Sequence, residues 1–263
     1  MRSFMSLMGA DPSQDHLHAF ETSWLFSPLV LGCIRALISL YSFITIFFIF
    51  GWQGTHGQTV SSERSFSFFT NLSYWGIAFY FLAAAIHSFA YSRTGRSVFF
   101  EKTPRLLRAL HSLFYTTVVV FPFIVTIVYW ALLFEGPWFP VVFTAWSNVS
   151  QHAMQSGFAL FELIFPATQP LPLLHLPFLY LLLLLYLSLA YLTHATQGFY
   201  TYSFLNPGIH GEHSGRVTGY SFGIAAAATV LFGDTCHILI IGGRRRDGDE
   251  GKEVITLFAA ADL

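Results

Sequence analysis

From Leu173 to Thr196 the chain reads LLHLPFLYLLLLLYLSLAYLTHAT, with no Asp, Glu, Lys or Arg. A helix over this run is apolar on every side. Such a helix has no polar face to turn to water, and its length matches the roughly 20 residues that cross a bilayer. Five further stretches have the same character, at about 24–50, 66–91, 110–134, 145–165 and 217–241. The fourth, 145–165, is the most polar of the six. The expected fold class is therefore all-α: an integral membrane six-helix bundle spanning residues 24–241, preceded by segment 1–23 and followed by tail 242–263.

Composition supports this reading. Only 10% of the 263 residues are charged and 54% are hydrophobic. Soluble domains carry about 25% charged residues. The formal net charge of −1 offers nothing for nucleic acid to recognise, so no nucleic-acid partner is expected. Cys33 and Cys236 both lie in apolar stretches, and the simplest expectation is two small buried thiols without a disulfide. Residues 1–23 hold Asp11, Asp15 and Glu21 and lack an apolar core, so the first span is itself the expected targeting segment.

The placement of the cations sets the expected orientation. Arg93, Arg96, Lys102, Arg105 and Arg108 crowd the loop between spans two and three, and Arg244, Arg245 and Arg246 follow span six. By the positive-inside rule, that loop and both N and C termini are expected to be cytoplasmic, in the endoplasmic reticulum or plasma membrane. Two Asn-x-Ser sequons, at Asn71 and Asn148, fall inside spans and are discounted as glycan acceptors.

Polar groups are costly inside lipid, so where they collect is informative. Span two opens with Ser67, Thr70, Asn71 and Ser73. Span four opens with Asn148, Gln151, His152 and Gln155. Span five ends with Thr193, His194, Thr196 and Gln197. All these groups fall in the outer half of the expected bundle. The inner half holds Arg35, Glu162 and Asp234, and structural pairing of Arg35 with Glu162 or with Asp234 is expected. On a wheel of span four, Asn148, Gln151, His152, Gln155 and Glu162 fall within about 100° of arc. That polar stripe is expected to face the bundle interior.

A hydroxyl beside an imidazole is the smallest unit of nucleophilic acyl transfer. Thr70 and His152 are expected at similar depth on inward-facing helix faces. They are the candidate nucleophile and base of a lipid-ester hydrolase whose substrate enters from the bilayer. Asn148, with Asn71 and Gln155, is the candidate orienting or oxyanion group. Trp130, His194 and Gln197 are candidates for the pocket or its mouth. The blander possibility is that Thr70 bonds the carbonyl a turn back and that His152 is interhelical glue.

The words FFTNLSYWGIAFYF, FPFIVTIVYW, WSNVSQHAMQ and YLTHATQGFYTYSFLNP occur in this order between Trp24 and Ile241. The set resembles the androgen-induced-gene family of six-span membrane proteins, with its relatives the androgen-dependent TFPI-regulating protein and the rolling-stone proteins. Some members of that family hydrolyse fatty acid esters of hydroxy fatty acids with a Thr nucleophile and a His. The resemblance implies that Thr70 in FSFFT, and His152 four residues after Asn148, occupy those roles. It also implies an alternative, since FTNLSYW and VTIVYW lean toward the rolling-stone side. There the role is non-catalytic, in cell fusion or as a scaffold.

Other classes fit less well. The 11 histidines scatter, and the close pairs His16/His18 and His210/His213 lie in terminal or loop segments, so neither a metal nor another cofactor is expected. No inverted repeat or charged mid-membrane site suggests a transporter.

Overall fold

The computed structural model describes residues 4–10 and 18–261, without the side chains of Phe99 and of residues 244–261. The expectations for Asp11, Asp15 and His16, and for the side chains of Arg244, Arg245 and Arg246, lie outside the described residues.

Every regular element described is helical. In chain order these are α1 (Phe4–Leu7), α2 (Pro28–Thr55), α3 (Thr59–Glu63), α4 (Phe69–Thr94), α5 (Val98–Lys102), α6 (Arg105–Val128), α7 (Val142–Val149), α8 (Gln155–Ile164), α9 (His175–Gln197) and α10 (Ser214–Ala261). A wider π turn, Tyr129–Leu133, extends α6, and a second, Ser150–Met154, joins α7 to α8. Five helices are long and apolar enough to cross a membrane: Pro28–Thr55, Phe69–Thr94, Arg105–Leu133, His175–Gln197 and Ser214–Gly243. This is the pattern of a multi-pass membrane protein.

Local chemistry sets the ends. Ser27 caps α2 by accepting from the Val30 amide, and Pro28 occupies the first turn, where no N–H is needed. Gly95 ends α4 at φ 63° and donates its amide to the Tyr91 carbonyl at 2.8 Å. Only a residue free to adopt the left-handed region closes the helix this way at no steric cost.

Two sequence expectations need correction. The fourth span is not one α-helix: the run Val142–Ile164 is broken by the Ser150–Met154 π turn. A wheel at a constant 100° per residue does not carry across it. Gln155 and Glu162 are fully buried, whereas Asn148, Gln151 and His152 are only partly so, and Ser150 takes the inward position. The backbone of residues 242–261, in the stretch read as the tail, is helical and continues α10. Cys33 is exposed on the outside of the bundle rather than buried, and both cysteines are free thiols.

The core lies where α4, α6, α8 and α9 meet. Ile77, Phe81, Val119, Ile124, Leu163 and Leu179 pack there, with Phe232 of α10. One end of it is held by a fully buried ion pair. Arg35 donates from Nη2 to Glu162 Oε1 at 2.5 Å and from Nε to Oε2 at 3.1 Å. The Tyr80 hydroxyl also donates to Glu162 Oε1, at 2.8 Å. The second Arg35 arm reaches the Phe20 carbonyl and Ser88 Oγ. Of the two pairings expected for Arg35, Glu162 is the partner; Asp234 is exposed.

The α2–α4 contact depends on Gly32. A Cβ there would stand 2.9 Å from the Phe89 ring and 3.3 Å from Ser88 Cβ. Gly32→Val is expected to cost about 1–3 kcal/mol by forcing those side chains apart. The thermal midpoint of the purified protein checks this, and an unchanged midpoint contradicts it.

Candidate functional site

A cavity of about 550 Å³ opens among α4, α6, α9 and α10. Ile124, Val125 and Val128 of α6 form one wall, and Leu183 and Leu187 of α9 face Ile224 and Ala225 of α10. Nearly all of this surface is hydrocarbon. Thr70 and four tyrosines (Tyr129, Tyr180, Tyr186 and Tyr202) supply most of its polar atoms, with Ser221 and Thr229. Leu184 and Phe222 are exposed on the outside of the bundle and also line the cavity. It therefore communicates sideways, between α9 and α10, with the surface that lipid would cover. Its size and lining suit one apolar chain with a few polar contacts.

Thr70 stands in the first turn of α4 and is 8% exposed. Tyr202, in the loop after α9, lines the same cavity. Burial pushes the Tyr202 phenol above its ordinary pKa of 10, and hydrogen bonding from the Thr70 side chain opposes that rise. The phenol therefore stays protonated at any working pH. Tyr186 extends the polar corner, donating to the Ser67 carbonyl at 3.2 Å, and Thr193 donates to Ser67 Oγ at 3.2 Å.

His152 lies on the second π turn and is half-buried. Its ring stacks on Tyr129, on the first π turn, with centroids 3.6 Å apart and planes at 6°. Its Nδ1 is buried and has no hydrogen-bond partner. Among the described residues no hydrogen bond joins Thr70 to His152. Tyr129 lies in contact with both regions, since it lines the cavity and covers the imidazole face. π turns recur at functional sites because they re-aim side chains that a regular helix would place elsewhere.

The other candidates fall in three places. Asn148 accepts from the Tyr129 hydroxyl at 2.5 Å and donates to the Thr144 carbonyl at 2.9 Å, so it orients Tyr129 rather than the imidazole. Asn71 donates to the Ser65 carbonyl at 3.0 Å and accepts from Gln151 at 2.8 Å. Gln155, fully buried, accepts from Ser73 at 3.4 Å and donates to the Gln151 carbonyl. Trp130 donates its indole N–H to the His152 carbonyl at 3.0 Å, which steadies the π turn. His194 stacks on Tyr200 at 3.8 Å, and Gln197 is exposed; neither lines the cavity.

Sequence reasoning missed two features. Tyr202 was present in the GFYTYSFLNP stretch but carried no periodicity to mark it, because it lies in a loop. The second is a hydrogen-bonded Thr–His pair, Thr116 Oγ1 to His175 Nδ1, at 2.6 Å. Both residues are fully buried, and His175 Nε2 lies 3.4 Å from the Met8 carbonyl. No substrate reaches a pair with no exposed surface, so its work is to fasten α6, the start of α9 and the N-terminal segment. His175→Leu leaves the Met8 carbonyl and the Thr116 hydroxyl short of a partner. It is expected to cost about 1–3 kcal/mol in thermal unfolding without altering activity.

Among the described residues no group of three or more His, Cys, Asp or Glu side chains is gathered to hold a metal ion. No family model, no curated protein and no solved structure matches the chain.

Proposed function

We propose that the protein is an intramembrane hydrolase of lipid carboxylic esters, with Thr70 as nucleophile and His152 as base. The observation that carries this is the position of Thr70, a nearly buried threonine hydroxyl at the polar corner of a large apolar cavity open toward the bilayer. The ordered motifs that resemble the androgen-induced-gene hydrolases point to the same two residues.

The chemistry runs as acyl transfer. Thr70 Oγ attacks the ester carbonyl carbon while its proton passes to His152 Nδ1, directly or through a water, once Tyr129 yields. Hydrogen bonds of this kind are often long in a free enzyme and tighten with substrate. His152 then gives the proton to the departing alcohol. Water, activated by the same imidazole, releases the fatty acid from Thr70. Tyr202, protonated and beside Thr70, is the oxyanion donor in this scheme, because both amide groups of Asn148 are occupied. The substrate class is a fatty acyl ester whose chain fills the cavity, such as a fatty acid ester of a hydroxy fatty acid.

We infer further that Val142–Ile164, as long as α9, is the sixth span. The basic loop between α4 and α6, the segment preceding α2 and the C-terminal end of α10 then share the cytoplasmic face.

One observation favours a second reading. Among the described residues no hydrogen bond joins Thr70 to His152, whose Nδ1 has no partner, as in a non-catalytic scaffold or fusion protein of the rolling-stone type. Hydrolysis separates the two. Purified protein in lipid nanodiscs is expected to cleave a fluorogenic fatty acyl ester. Thr70→Ala and His152→Ala are each expected to abolish cleavage while inserting normally. Wild-type protein inactive on a panel of acyl esters, or full activity in either variant, supports the scaffold.

A further inference from the structure

A second cavity, of about 250 Å³, lies at the end of the bundle that carries the basic loop. It is built from parts distant in sequence: Gly9 and Ala10, the His18–Phe20 turn, Ser97 and Phe100 at α5, one face of α6, and the strap Thr168–Pro172. The α6 residues in its wall are Arg108, His111, Ser112 and Tyr115. These are spaced i, i+3, i+4 and i+7, so they form a single helical face turned into the cavity.

The polar atoms on this face are unusual in what they lack. Arg108 Nε and His111 Nε2 are both buried without a hydrogen-bond partner. The His111 ring is held by its neighbours: Phe20 lies edge-on at 4.2 Å and Phe100 at 5.2 Å. It is therefore aimed rather than loose. Arg108 makes no ion pair among the described residues. Of the nearby carboxylates, Glu101 lines the cavity but pairs with Arg96 at 2.8 Å, and Glu21 accepts from Ser97 through Oε2 while its Oε1 lies 3.6 Å from His87. Arg108 thus brings into the wall a guanidinium with no ion-pair partner among the described residues, beside the His111 imidazole and Ser112. The rest of the lining is mixed: Phe20, Phe100, Leu171 and the flanking prolines are apolar, and His18, Ser97, Glu101, Tyr115, Thr168 and Gln169 are polar.

We propose that this cavity binds a phosphate group, with Arg108 and His111 as its ligands. Guanidinium presents a planar fork of N–H donors that matches phosphate oxygens, and imidazole N–H adds a directed third donor. Buried donors without partners are rare in folded proteins, and a bound anion satisfies both at once. The apolar part of the lining favours a lipid headgroup, since it covers the glycerol and first methylenes. Free phosphate shares the anion chemistry, and the experiment tells the two apart. This site is independent of the hydrolytic reading, because it shares no lining residue with the Thr70 cavity.

The test is calorimetric titration of the purified full-length protein with three probes: water-soluble dihexanoyl phosphatidate, dihexanoyl phosphatidylcholine and inorganic phosphate. Phosphatidate is expected to bind at one site per chain, and Arg108→Gln to weaken it about tenfold or more. Arg108→Lys is expected to restore part of the loss, since it keeps the charge but not the fork. His111→Gln is expected to weaken binding less. Arg93→Gln, which removes an exposed cation in the last turn of α4, is expected to leave binding unchanged. Inorganic phosphate binding as tightly as phosphatidate assigns a soluble ligand; phosphatidate binding far more tightly assigns a headgroup. Either supports an anion site. The proposal is overturned if neither anion binds. It is overturned equally if phosphatidylcholine binds as well as phosphatidate, or if Arg93→Gln weakens binding as much as Arg108→Gln. Thermal unfolding without ligand, expected to match wild type for Arg108→Gln, shows that a lost signal is not a lost fold.

Discussion

Arg35→Met is expected to destabilise the protein by about 3–5 kcal/mol, the largest stability effect of any single substitution considered. The reason is the charge left behind. Glu162 has no exposed surface, and its carboxylate oxygens are met by Arg35 and Tyr80. Without the guanidinium, Glu162 must either stay ionised in an apolar interior or take up a proton, and both cost free energy. Three further contacts go with it: the Phe20 carbonyl, Ser88 Oγ and the cation lying 5.0 Å from the Phe20 ring. The double variant Arg35→Met/Glu162→Leu is expected to recover a large part of the loss, because the charge goes with its partner. Tyr80→Phe removes one hydrogen bond and is expected to cost about 1–3 kcal/mol. Unfolding in mixed detergent measures all three. A single Arg35→Met variant within about 1 kcal/mol of wild type would show that the pair contributes little.

Thr70→Ala is expected to have the largest effect on activity, a fall in kcat of at least about 10³-fold. Removal of a nucleophile eliminates the covalent route and leaves only what the cavity and donors do by positioning. Thr70→Ser is the informative companion. It keeps the hydroxyl and drops one methyl, so most of the activity is expected to remain. Tyr202→Phe is expected to lower kcat about 10²-fold with little change in KM, as for loss of one oxyanion donor. If Thr70→Ala and Thr70→Ser lose activity equally, Thr70 acts by packing against Tyr202 and not as a nucleophile.

The membrane character was legible from the sequence because it depends on long uninterrupted apolar runs such as 173–196. Those runs specify helices by length alone. The Arg35–Glu162 pair was legible in part for a related reason: charges in an apolar interior need partners, and few were on offer. Span four shows where legibility stopped. Its wheel placed Asn148, Gln151 and His152 with Gln155 by assuming one helical pitch from end to end. The Ser150–Met154 π turn breaks that pitch, and tertiary contacts set it: Trp130 to the His152 carbonyl, and Tyr41 to Ser150 at 2.7 Å. The cavity was equally hidden. Its polar corner joins Thr70 to a loop tyrosine far along the chain, and no local pattern encodes that contact. Thr116 and His175 were passed over because each looked like an ordinary residue of an apolar helix.

The most direct measurement is the site of covalent capture. Purified protein is treated with a lipid-tailed fluorophosphonate, digested and mapped by mass spectrometry. The adduct is expected on Thr70, to be absent in Thr70→Ala, and to form far more slowly in His152→Ala. An adduct on any other residue, or labelling that persists unchanged in Thr70→Ala, contradicts a Thr70 nucleophile.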